Sequence, residues 1–85
     1  MTIYYTTKFA REYQKLPLAI QREAEKREAI FRKNPFDQRL RTHKLKGQLS
    51  NFWSFSVTHS YRIIFQFDAD ENVWFHAIGD HAIYQ

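Results

Sequence analysis

The chain has 85 residues, room for one domain and not two. Apolar residues make up 44% and aromatic residues 18%, enough for a small dense core, while two Gly and two Pro argue against disorder and collagen-like repeats. The absence of cysteine excludes a disulfide scaffold and a thiolate zinc site, and a formal charge of +4 favours anionic partners.

Thr2 to Thr6 is β-branched and aromatic and predicts a short strand. Thr6 or Thr7 can cap a helix whose face carries Phe9, Tyr13 and Leu16. Pro17 ends that helix or opens the next, since its missing N–H costs nothing in a first turn. Leu18 to Lys33 has a helical period. Ile20, Ala24 and Phe31 line one stripe, interrupted by Arg27, and Asn34-Pro35 stops it. Residues 36–51 form a polar, basic connection anchored by Leu45 and Leu49. The period then switches to two: Trp53, Phe55 and Val57 alternate with Ser54, Ser56 and Thr58. A turn at His59-Ser60, a strand from Tyr61 to Phe67, a hairpin loop over 68–72 and a strand from Val73 to Ile78 follow, with Gly79-Asp80 as the breaker. The order β-α-α-β-β-β predicts an α+β domain, a helical pair packed on one face of a mainly antiparallel four-stranded sheet. No stretch of 18 apolar residues occurs and no signal-peptide pattern opens the sequence, so no membrane association and a cytoplasmic location are expected.

The positive balance is local. Arg32 to Lys46 holds six basic residues and one acid, a net of +5, and the other seventy residues carry −1. A field of that sign favours a polyanion or an acidic protein partner. Arg39, Arg41, Lys44 and Lys46 are the candidate RNA-binding residues of this stretch. A basic groove flanked by Trp53, Tyr61 or Trp74 would suit an acidic helix or an extended segment of a partner. On the strand after His59, Tyr61, Ile63, Phe65 and Phe67 share the core side. Arg62 then projects mid-sheet from the other. No acid lies between Gln38 and Phe67, so a structural partner for Arg62 has to come from elsewhere, with Asp80 the obvious one.

Of the four histidines, none shows metal-ligand spacing; neither a metal nor a cofactor is expected. His76 reads as a packing or surface residue and His59 as a solvated turn residue. The combination of the others with Arg62 suggests a reaction. RNA cleavage through the ribose 2′-OH needs a base, an acid for the leaving 5′-oxygen and a cation for the charged phosphorane. His43 and His81 suit the first two roles, Arg62 the third, and Tyr84 offers a stacking surface or a phenolic acid. Folding would have to bring His43 and His81 together.

The run His43-Lys44-Leu45-Lys46-Gly47, then Trp53 to Val57, then Ser60-Tyr61-Arg62-Ile63-Ile64-Phe65, then Ile78-Gly79-Asp80-His81-Ala82-Ile83-Tyr84 resembles the RelE/ParE toxin superfamily of type II toxin–antitoxin modules. It is most similar to the mRNA-interferase branch typified by the RelE, YafQ and YoeB toxins. The resemblance implies an endoribonuclease that acts on mRNA in the ribosomal A site and is silenced by a cognate antitoxin in a heteromeric complex. It implies that Arg62 contacts the scissile phosphate, that His43 and His81 are catalytic, and that Tyr84 stands for the C-terminal aromatic. Ser60 departs from the acidic residue frequent in YafQ-like chains, and Tyr84 follows His81 by three positions rather than four. Two other readings fit the same fold: a ParE-like DNA gyrase inhibitor, and an inactive domain that binds RNA or an antitoxin.

Overall fold

The structure, a computed structural model, describes residues 1–84, Tyr84 through its backbone only. In chain order the elements are β1 (Ile3–Tyr5), α1 (Thr7–Gln14), α2 (Leu18–Lys33), β2 (His43–Lys44), β3 (Trp53–Ser56), β4 (Arg62–Phe67) and β5 (Val73–Gly79). Short 3-10 turns sit at Gln38–Leu40, Gly47–Leu49 and His81–Tyr84. Thr6 caps α1, its hydroxyl accepting from the Phe9 N–H at 3.0 Å. Pro17 is the residue before α2, and Gln21 ties the helices together by donating to the carbonyls of Tyr13 and Leu16.

The strands form one mixed sheet in the order β1-β5-β4-β3-β2. β1 runs parallel to β5, and every other pair is antiparallel. The sheet has five strands where the sequence predicts four. The added strand is β2, inside the basic connection, pairing His43 with Ser54 and Lys44 with Trp53. Two residues are too few to display a period, so this strand has no signature in the pattern.

Both helices cover one face. Phe9, Ala24 and Phe31 meet Phe55, Ile63, Phe65, Phe75 and Ile78 in a single core. Phe31 is fully buried, its ring 4.9 Å from those of Phe55 and Phe65 and 5.5 Å from Phe75. Trp53 packs with Phe36 and Phe67 at the end of the sheet away from Arg62, and Trp74 stacks on Tyr4 at the β1 edge. Tyr61 packs partly against the core. None of the three aromatics expected to flank a basic groove does so. Each is claimed by an aromatic or core neighbour.

The register of β4 and β5 shifts between Ile64 and Phe65, leaving His76 unpaired as an extra residue in β5. His76 packs edge-on against Phe52, and its buried Nε2 has no hydrogen-bond partner. Burial, with a smaller contribution from the Lys8 ammonium, pushes its pKa below the ordinary histidine value. The unfolded chain therefore takes up a proton that the folded chain resists. The His76 contribution to stability is intact above the unfolded pKa of about 6.5 and is lost as the pH falls below it. Urea midpoints at pH 7.5 and 5.5 should show a smaller drop in His76→Gln than in the wild type. Equal drops would mean that this ring does not titrate on unfolding.

Candidate active site

The face of the sheet away from the helices carries the polar side chains. Pairing fixes the rows. His43, Ser54, Ile64 and Ala77 lie side by side across β2, β3, β4 and β5, and Ser56, Arg62 and Gly79 form the next row on the same face. Arg62 opens β4, so it stands at the end of its strand rather than mid-sheet, though centrally between β3 and β5. Two strands and two residues separate it from His43, about 12 Å between Cα atoms at ordinary sheet spacings.

The turn before β4 holds the Arg62 guanidinium. The Thr58 hydroxyl accepts from the N–H groups of Ser60 and Tyr61, and the Tyr61 carbonyl accepts from Val57 and Thr58. Carbonyls of that turn thereby converge, and Arg62 Nη1 donates to those of Thr58 at 2.7 Å, His59 at 3.0 Å and Tyr61 at 3.2 Å. Asp80 is not its partner: that carboxylate accepts from the Ala82 N–H and caps the last turn. Among the described residues no carboxylate pairs with Arg62. One terminal nitrogen is spent on positioning, and among the described residues Nε and Nη2 have no partner, which leaves their donors for an anion.

His43 is exposed, with ring Nδ1 3.1 Å from the Arg41 carbonyl. A carbonyl only accepts, so Nδ1 carries the proton and Nε2 of the neutral ring presents a lone pair. Arg41 itself adopts a left-handed backbone conformation (φ 53°), uncommon for a residue with a side chain. His81 lies on the other flank, two residues beyond Gly79, at the start of the last 3-10 turn. Ile83 of that turn packs over Gly79, where an added Cβ would collide with the Ile83 Cγ2 methyl. Gly79→Ala should therefore displace the His81 turn and lower activity while shifting the melting temperature little. Ile83→Ala in the same chain should restore activity. A Gly79→Ala chain with wild-type activity would show that the turn's seat does not matter.

Of the remaining sequence candidates, Arg39 and Arg41 line a cavity with Arg62, and Lys44 and Lys46 do not. Arg39 is held by Asp37 in a two-pronged ion pair at 3.0 and 2.9 Å, which lowers the Asp37 carboxyl to about 2. Lys44 is exposed on the opposite side of β2 from His43, level with Trp53, and Lys46 is exposed before the Gly47 turn. The Tyr84 side chain lies outside the described residues. Sequence reasoning overlooked two residues that line a cavity of about 540 Å³ with Arg62, namely Arg27 and His59. For Arg27 there was a signal, an arginine interrupting the apolar stripe of a helix. For His59, an isolated turn histidine, there was none.

Among the described residues no helix is long and apolar enough to cross a membrane. No protein-family model matches the sequence, and no curated protein matches it. Solved structures do match. A YoeB/ParE toxin from Agrobacterium tumefaciens superimposes with a TM-score of 0.80 at 16% identity, over 95% of this chain and 99% of that one. YafQ from E. coli strain BL21(DE3) gives 0.74 at 18%, over 96% and 94%. An archaeal RelE-RelB complex from Pyrococcus horikoshii OT3 gives 0.75 at 17%, over 93% and 92%. The chain, two helices on a mixed five-stranded sheet, has the fold of the RelE/YafQ/YoeB-like toxins.

Proposed function

We propose that this protein is the toxin of a type II toxin–antitoxin module, a ribonuclease that cuts mRNA in the ribosomal A site and is silenced by a cognate antitoxin. The observation that supports it best is the state of Arg62. Its guanidinium is fixed by three turn carbonyls and pairs with no acid among the described residues, on a strand that lies between β2, which carries His43, and β5, which leads into the turn of His81. In this reading His43 Nε2 takes the proton from the ribose 2′-OH as the 2′-oxygen bonds to phosphorus. Arg62 bears the charge of the phosphorane, the P–O5′ bond breaks, and His81 gives its proton to the departing 5′-oxygen. The products are a 2′,3′-cyclic phosphate and a 5′-hydroxyl. The Arg41 carbonyl is what favours His43 as the base, because it fixes the required tautomer. Among the similar structures the archaeal RelE is bound to RelB, which supports an antitoxin as partner.

A ParE-like gyrase inhibitor shares the fold and needs none of this chemistry. Primer extension on messages after induction separates the two. Discrete new 5′ ends on translated messages, with gyrase supercoiling unaffected, are expected. Inhibited supercoiling with intact messages would replace the nuclease reading by the ParE one, and normal growth on overexpression of soluble protein would favour an inactive binding domain.

A further inference from the structure

The Arg62 cavity holds more positive charge than one scissile phosphate requires. Arg27 reaches it from the middle of α2, Arg39 and Arg41 from the connection before β2, and His59 from the turn before β4. Among the described residues two carboxylates pair with these four guanidiniums, Asp37 with Arg39 and Glu23 with Arg27, leaving a net of +2. Arg39 is spent on Asp37. Arg27 spends Nη1 on the Arg39 carbonyl at 2.7 Å and points Nε at Glu23 at 3.4 Å, which leaves Nη2. Arg41 pairs with no carboxylate among the described residues. Arg41 lines the cavity beside Ser56, which is paired with Arg62.

We propose that this cavity is a second phosphate subsite, in which Arg41 and Arg27 hold the RNA phosphate next to the one that Arg62 contacts. The proposal rests on the nuclease reading for the identity of the phosphate at Arg62. Its ligand is a polynucleotide, since a single nucleotide leaves Arg41 and Arg27 unused. The lining favours a sugar–phosphate chain over a peptide: Val57 is its one apolar residue, and protein partners dock through buried apolar or aromatic anchors. Arg41 serves both parts of the site: it lines the cavity, and its carbonyl orients His43. Its backbone at this point is left-handed, a conformation that costs about 1 kcal/mol or more.

The test is the salt dependence of binding to a 2′-O-methyl oligoribonucleotide, which cannot be cut, followed by fluorescence anisotropy between about 50 and 200 mM salt. Each lost phosphate contact lowers the log–log slope by about 0.7. Arg41→Gln and Arg27→Gln should each flatten it by that amount and the double variant by about 1.4, while Lys26→Gln, on the exposed side of α2, leaves it unchanged. Arg27 also holds the Arg39 carbonyl, so if Arg27→Gln unfolds, Arg41→Gln decides alone. Wild-type slopes in the arginine variants would overturn the subsite. Wild-type slopes together with weakened binding to poly-glutamate would overturn it in favour of an acidic protein. A chain that shows the expected slopes but cuts no message keeps the subsite and loses the nuclease, and one that cuts messages with unchanged slopes does the reverse.

Discussion

Arg62→Ala is expected to abolish the growth arrest that follows expression without an antitoxin, with message cleavage reduced by about 10²–10³-fold, as for loss of one preorganised donor to a developing anion. The fold should survive. The guanidinium contributes no core packing, and loss of its bonds to the turn carbonyls costs about 1 kcal/mol where water can replace it. Arg62→Lys should fail almost as badly. An ammonium can sit on the carbonyls of Thr58 and His59 or on a phosphate, but it has no planar fork to do both. His81→Ala should lose a comparable factor through the missing acid, within the 10²–10⁴ range of general acid–base catalysis. Full toxicity with unchanged cleavage in both alanine variants would remove these residues from the site.

Phe31→Ala is expected to unfold the chain at ordinary temperature. Its ring is fully buried between the rings of Phe55, Phe65 and Phe75, so its removal leaves a cavity that three rigid neighbours cannot close. Such truncations cost about 3–5 kcal/mol. A domain of this length holds about 4–13 kcal/mol in total, so at the low end of that range, below about 5 kcal/mol, no folded protein is left. Phe31→Leu, which keeps most of the volume, should remain folded with a lowered midpoint in urea. A Phe31→Ala chain with a wild-type midpoint would mean that the four rings do not form the core.

The fold was legible wherever a period ran long enough to repeat. Leu18 to Lys33 reads as a helix and is one, and the alternation from Trp53 onward places Phe55 in the core and Ser54 and Ser56 on the other face. β2 was not legible, because two residues carry no period, and the strand exists through its bonds to β3. The site divides in the same way. His43, Arg62 and His81 could be named from their chemistry, yet their arrangement depends on strand order, which no local pattern contains. The sequence reads Arg62 either as the partner of a carboxylate, Asp80 the obvious one, or as an anion-binding group, because charge is visible in a sequence. Its structural partner is a set of backbone carbonyls, which every residue has and no composition reveals. Arg39 shows the converse: its charge counts in the basic stretch, but Asp37, two residues away, occupies it.

Attack by a ribose 2′-OH is the step on which the whole site reading depends, and it can be tested by removing one oxygen. A message programmed into purified ribosomes with a single 2′-deoxy nucleotide at the cut position should resist the protein, while the all-ribose message yields a fragment ending in a 2′,3′-cyclic phosphate. Equal cleavage of both messages, or an upstream fragment ending in a 3′-hydroxyl, would contradict it.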